Sequence, residues 1–494
     1  MKDYLQIKKD RTKYHIQPYK NTVHRSSLLV PVMPKCEAWI GFINHFLIRR
    51  GYKSIALKIS SINKLGDLLD SITVEINEPK VYSFNLTKIF SKIKTANYLI
   101  EFFSEKNLFI PFPAVVITHW GKDFCNTVHS YNRVLNDIFE NDQINKKQVS
   151  EASFDLVIDK KYDTFFNISS GILRLKNSSL FLSYRKNNLK IDKKINVSLP
   201  RLSHKSLYLS KIFLKKLNGG IVRIKQPKQN MFYGRLLVGR INKKTKAFSA
   251  NHSFYDSSKE KEYFSSSESL RTYPYFNNIS NKITMYPILS PCKLNLRLKI
   301  FSNNGFFLSK DFKFSSPSSK PCSIDVNKFV ESRKLQNVTA FTLIAKSNNS
   351  NIPTRVNHQL IYGQPNSNNA LQCSINVSLT NRRMFNRRKK ETIVWGQFIN
   401  HKDYRSKIGF CFNLPEGKSE KINIDFYNFK GKFKSKKQIL NPSKSFIINS
   451  DEILNTSKKP EFCWFIAKSK RLDLNAYAIH QNIASGNFSG EHNF

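Results

Sequence analysis

The chain has 494 residues, 40% of them hydrophobic and 13% aromatic, with 81 Lys plus Arg against 35 Asp plus Glu, a formal charge of +46 at pH 7. That length admits about three or four domains, and apolar residues gathered into bounded runs exclude a chain too dilute to build cores. No run approaches the roughly 18 consecutive apolar residues of a membrane helix, and seven cysteines without a CxxC pair argue against a disulfide framework.

Residues 1–38 read as a basic arm, with Lys8, Lys9 and Arg11 ahead of the proline-containing PVMPK. The start is polar and lacks the apolar centre of a signal peptide, so the expectation is a cytoplasmic protein. A first module is expected over 39–160. Its run IALKIS at 55–60 alternates apolar and polar residues, and Gly66 turns the chain. An acidic insertion follows, holding Asp137, Glu140, Asp142, Glu151 and Asp155. A second module spans 161–256, with strand-like runs LFLSY, INVSL, LYLSKIF and IVRIK. Residues 257–282, rich in Ser and Lys, read as a linker. A third module covers 283–363. The fourth, 364–494, carries a basic hairpin tip, NRRMFNRRKK.

One phrase organises this division. Residues 322–347, CSIDVNKFVESRKLQNVTAFTLIAKS, give a short alternating run, a polar connector and a β-branched, aromatic strand. The phrase recurs at 81–104, 205–225 and 445–469, at intervals of roughly 110–120 residues, too long for a solenoid and suited to a small domain. Strand-like runs precede each copy at 72–77, 195–199, 294–301 and 422–427, and a histidine follows each: His129, His252, His358 and His480. The segment from Trp39 to His45 also matches that from Trp395 to His401. Period-two alternation with turn residues between short runs predicts an all-β chain of four tandem β-sandwich modules, immunoglobulin-like or jelly-roll-like. In architecture it resembles tandem β-sandwich repeat proteins.

Chemistry is harder to read. A residue present in every module most simply serves what the modules share, so the recurrent histidines are expected to lock corners of the fold. His119 differs, being found in the first module alone. With His129 and Asp123 it is a candidate divalent-metal set, since two imidazoles and a carboxylate suit zinc, manganese or iron. His119, His129, Glu140 and Asp142 are the candidate catalytic residues of a metal-dependent, saccharide-active enzyme. The tip residues Arg382, Arg383, Phe385, Arg387 and Arg388 are the candidate ligand contacts, because guanidinium forks match phosphate or sulfate and a phenyl ring stacks on a base or sugar. The excess of positive charge points to a polyanion, although the basic residues are sprinkled over the chain as compositional bias also produces. There is no P-loop, no GxGxxG after a strand, no GxSxG and no HExxH. The leading expectation is a non-enzymatic binding or scaffolding protein that contacts a polyanion or glycan. Its alternatives are the enzyme just described and non-specific nucleic-acid binding through charge.

Overall fold

The computed structural model describes residues 25–104, 113–129, 146–147, 150–153, 156–171, 173–186, 189–214, 217–227, 229–230, 235–255, 263–285, 293–303, 307–314, 322–365, 367, 370–385 and 389–494. The first sandwich shows the plan. Its strands are β1 (Arg25–Pro31), β2 (Cys36–Ile43), β3 (Ile55–Ile62), β4 (Leu68–Ile76), β5 (Val81–Asn85), β6 (Asn97–Ser104), β7 (Val116–Gly121) and β8 (Cys125–His129). They form two antiparallel sheets of order β1-β6-β3-β4 and β5-β2-β7-β8. Adding four to each strand number converts the first order into the second. Each sandwich is therefore two four-strand halves that have exchanged their second strands. Alternation explains the core: Ile55, Leu57 and Ile59 of β3 are buried and pair with residues of β6 that include Ile100 and Phe102.

The same two orders recur three times. The second sandwich runs from its first strand, Ser150–Ser153, through Tyr162–Ser169, Leu175–Lys186, Leu189–Leu199, His204–Tyr208, Ile221–Lys225 and Leu237–Asn242 to Phe248–His252, and Phe254–Tyr255 adds beside the first strand. The third runs from Glu268–Pro274 through Ser280–Met285, Leu294–Ser302, Phe307–Phe314, Cys322–Asp325, Val338–Ser347 and Asn357–Gly363 to Cys373–Ser378. The fourth runs from Thr392–Asn400 through Tyr404–Phe412, Glu420–Asn428, Gly431–Leu440, Phe446–Asn449, Glu461–Ser469 and Leu474–Asn482 to Phe488–His492. The chain is all-β and its sandwiches stand in tandem.

The recurrent phrase is the fifth strand, its connector and the sixth strand in all four. What reads as a polar connector opens with one helical turn: Leu86–Ile89, Leu209–Phe213, Val326–Ser332 and, as a 3-10 turn, Ser450–Glu452. In three of the four the last residue of the fifth strand caps that turn, whereas Tyr208 in the second sandwich makes no side-chain cap bond. Asn85 Oδ1 accepts from Lys88 N at 3.0 Å and Asp325 Oδ1 from Lys328 N at 3.1 Å, while Asn449 forms a capping box with Glu452.

Other matches in the sequence join strands that the fold keeps apart. Runs 72–77 and 195–199 lie in fourth strands, whereas 294–301 and 422–427 lie in third strands. His129 and His252 end eighth strands, whereas His358 and His480 sit in seventh strands. Trp39 is on a second strand and Trp395 on a first. The segments read as arm and linker contain strands as well: β1 lies inside 1–38, and Glu268–Pro274 inside 257–282. Cys373–Ser378 lies beyond residue 363 yet pairs with Asn357–Gly363 to complete the third sandwich. First strands vary in composition, from SEAS to TIVWGQFIN, and they take their register from the sixth strand, a partner remote in sequence.

The chain divides into two compact units, one over Lys8–Tyr255 and the other over Asp256–Phe494. Each contains two sandwiches, docked in the same way. In the first unit the entry to the fifth strand of sandwich two reaches sandwich one. Arg201 Nε donates to Gly66 O at 3.2 Å, and His204 Nδ1 meets Asn97 Oδ1. In the other unit the equivalent entry in sandwich four reaches sandwich three. Lys444 Nζ donates to Asn303 O at 2.6 Å, and Ser445 Oγ donates to Thr339 O. Eighth strands meet in both units: Phe124 packs on Phe248, and a β-carbon at Gly490 would lie 3.3 Å from Cys373 Sγ. One apolar cluster in the latter unit runs unbroken from Phe264 through Leu343 to Tyr477 and Phe488, so the pair shares a core. Among the described residues no helix is long and apolar enough to cross a membrane.

Candidate functional site

Strand Leu175–Lys186 sends Leu180, Leu182 and Tyr184 into the core of the second sandwich. Alternation therefore turns Phe181, Ser183 and Arg185 outward. The register sets Phe181 between Lys194 on one neighbouring strand and Lys225 on the other. Both ammonium groups lie over the phenyl ring, each 5.8 Å from its centroid, and Phe181 remains 42% exposed. The next row holds Asp192, Ser183 and Arg223. There Arg185 Nη1 lies 2.8 Å from Asp192 Oδ1, and Ser183 Oγ donates to the same oxygen at 2.6 Å. The bond from Arg185, then that from Ser183, holds the Asp192 carboxyl below the usual carboxylate range. Asp192 thus offsets Arg185, with Lys190 Nζ 3.7 Å from its other oxygen, and Lys194 and Lys225 carry the positive charge beside Phe181. A row on the same face of the first sandwich instead sets Lys58 between Thr73 and Glu101.

This arrangement offers an aromatic plane flanked by cations. It suits a ligand with a flat or apolar ring face and anionic groups on both sides. Nothing in the sequence singled out Phe181, because Lys225 comes from a strand remote in sequence and the register of both neighbours sets the row.

The predicted residues fall elsewhere. His119 on β7 is fully buried, donates from Nε2 to Pro31 O at 3.3 Å and lies edge-on to Phe248 at 5.4 Å. Burial pushes its pKa down to about 4, partly offset by the Pro31 bond. In the β7–β8 hairpin His119 stands opposite Asn126, and His129 stands opposite Val116. Three residues separate those rows, roughly 10 Å, and an odd separation puts the two imidazoles on opposite faces of the sheet. The hairpin does not bring His119 and His129 together, and Asp123 sits half-buried in its turn. His129 lies edge-on to His252 at 4.7 Å, and Arg235 Nη1 lies 2.8 Å from His252 Nδ1, a cation that opposes binding of another. Glu140 and Asp142 lie outside the described residues.

The Arg-rich segment joins the third sandwich to the fourth and is not a hairpin tip. Residues Arg382–Met384 form a 3-10 turn whose cap, Asn381, accepts from Arg383 N at 3.0 Å. Arg382 Nη2 is paired with Glu416 Oε2, while Arg383 is exposed and Phe385 half-buried. Arg387 and Arg388 lie outside the described residues.

No family model matches the sequence, and no curated protein does. Among solved structures, one described as a tetra-tandem repeat in the extending region of a large adhesion protein aligns with 90% of this chain and 92% of its own, at 8% identity and a TM-score of 0.10. At that TM-score the likeness carries no argument about fold or function.

Proposed function

We propose that the protein is a non-enzymatic tandem β-sandwich binding protein whose sheet faces contact a polyanionic or carbohydrate ligand. The observation that supports this reading is the row Lys194–Phe181–Lys225, an exposed phenyl ring with a cation over it from each side. Arg383 and Phe385 form a second proposed contact; Arg382, tied to Glu416, contributes less charge.

The test is a titration of the full chain with heparin, single-stranded DNA and neutral oligosaccharides at physiological salt. Phe181→Ala is expected to weaken binding of the preferred ligand about tenfold, the lower part of the range for loss of an aromatic stacking contact. Lys194→Gln with Lys225→Gln should also flatten the salt dependence, since each phosphate or sulfate contact contributes to its slope. Affinity unchanged in both variants, or no binding to any of the three ligands, overturns the reading.

A further inference from the structure

The hairpin between the third and fourth strands of the fourth sandwich has a different surface. Asn428 pairs with Gly431, so Phe429 and Lys430 alone make the turn. Gly431 has φ of 118°, a value that favours glycine. Lys430 N is held by Asn428 Oδ1 at 3.0 Å, which fixes the turn from below. At the apex Phe429 is 56% exposed, and Phe433, three residues from the turn's second residue, is 37% exposed. Lys430, Lys432, Lys434, Lys436 and Lys437 follow along the strand, and no Asp or Glu occurs from 428 to 440. Lys436 lies over the Phe446 ring at 4.9 Å, and Phe433 stands 6.4 Å from the buried Phe426. Lys430 lies over the Phe429 ring at 5.7 Å. Lys432 pairs with Asp425 at 3.2 Å, and Lys434 donates to Glu452 O at 2.6 Å. Among the described residues the fourth strand is the edge of its sheet, with no strand of that sheet on its outer side.

A phenyl group has no polar handle, and exposing one at the end of a tight turn costs free energy in water. Lysines set back from it keep their charge in the aqueous layer while their stems cover apolar surface. We propose that this hairpin docks the protein on an anionic lipid bilayer, Phe429 entering the headgroup layer and the lysines lying against the lipid phosphates and carboxylates. Charge complementarity selects that partner, and the placement of the rings refines it. The aromatic group is at a protruding apex, where it enters a plane of lipid, whereas a nucleic-acid strand is met by rings along a surface. All five cations are lysines, which serve a diffuse anionic surface as point charges, without the forked geometry that Arg brings to a single phosphate. The inference is independent of the Phe181 face.

Co-sedimentation of the full chain with vesicles of phosphatidylcholine plus phosphatidylserine, against phosphatidylcholine alone, tests it at physiological salt. Binding is expected to the mixed vesicles, reduced about tenfold by Phe429→Ala and at least as much by Lys430→Glu with Lys437→Glu. Circular dichroism checks that each variant stays folded. Phe429→Trp supplies a second readout, a blue shift of its fluorescence when mixed vesicles are added. Absence of binding, binding indifferent to Phe429→Ala, or an unshifted Trp spectrum overturns the proposal. So does a loss of heparin or single-stranded DNA affinity on Phe429→Ala as large as the loss for vesicles, which assigns the tip to soluble polyanions.

Discussion

The two seams, between sandwiches one and two and between sandwiches three and four, use the same docking with different chemistry. Around the first lie His119, His204, Asn97, Asn126 and Asn167. Asn126 Oδ1 accepts from Ala250 N at 2.6 Å, and Asn167 Nδ2 donates to Met33 Sδ at 3.4 Å. Around the second lie Thr272, Tyr273, His358, Cys411, Asn413, Asn475 and Tyr477. Thr272 Oγ1 and Cys411 Sγ bond across it, to Asn413 O at 3.2 Å and Thr272 O at 3.3 Å. Tyr273 OH lies 2.5 Å from His358 Nε2, and Asn475 Nδ2 donates to Tyr477 OH at 2.6 Å. Arg271 stacks over Tyr477 at 5.9 Å and donates to Ser378 O at 3.1 Å. Docking geometry is therefore carried by backbone and strand order, and the side chains between differ. In the first seam, among the described residues, His119 Nδ1, Asn97 Nδ2, Asn126 Nδ2 and Asn167 Oδ1 are buried without a hydrogen-bond partner. Imidazoles and amides occur at both seams, and the second adds two phenols and a guanidinium, Tyr273, Tyr477 and Arg271.

That contrast has its largest consequence in acid. Burial lowers the pKa of His119 and of His204 to about 4 and that of His45 to about 3, all in the first unit. Burial does the same to His358 and His480, each to about 3, in the second. The folded chain keeps these rings neutral while the unfolded chain protonates below about 6.5. Their stabilising effect is thus complete above that pH and falls as pH drops towards the folded pKa. At pH 5 each ring costs roughly 2 kcal/mol, about 6 kcal/mol over three in the first unit against about 4 over two in the second. Urea titrations at pH 7.5 and pH 5 should show two transitions that separate in acid, with the first unit unfolding earlier. His204→Asn should narrow the gap; transitions that move together would break the comparison.

The aromatic anchors come next. Phe248 and Tyr477 are both fully buried at their seams. Phe248→Ala and Tyr477→Ala are each expected to cost about 3–5 kcal/mol, and each should shift only the transition of its own unit. Coupled loss of both transitions in either variant would show that the units do not unfold separately.

A smaller effect is expected at Gly66, which has φ of 85° and carries its hydrogen within reach of sandwich two. A β-carbon there would lie 2.0 Å from Arg201 O. Gly66→Ala should cost about 2–3 kcal/mol through strain and overpacking, read as a lower midpoint of the first unit's transition. Asn303, which stands at the corresponding place in sandwich three, should accept Ala with less effect, because its bonds to Lys444 and Asn337 are made by backbone atoms.

How much of this was legible in the sequence depends on how local the cause was. The fifth and sixth strands with their connector could be read four times over, since alternation and turn residues act within about twenty-five residues. The β-rich class and the tandem count followed from the same signal. The first strands were missed: RSSLLVP and ESLRTYP look like arm and linker until a sixth strand supplies their partner. The histidine alignment misled, because one residue type next to aromatics recurs on seventh and eighth strands alike. The site on the second sandwich was hidden for the same reason that first strands were. Phe181, Lys194 and Lys225 are adjacent only through the pairing of three strands, and a slip of one residue would turn Phe181 to the core.

The sequence by itself determined that the chain folds as repeated β-sandwiches with a basic composition, because side-chain alternation and turn chemistry are written residue by residue. Tertiary structure alone decided the exchange of second strands between sheet halves, the docking of sandwiches in pairs, and which lysines face which aromatic ring. Those outcomes rest on contacts between segments tens to hundreds of residues apart, whose register is set by packing and hydrogen bonding across strands and leaves no local pattern in the chain.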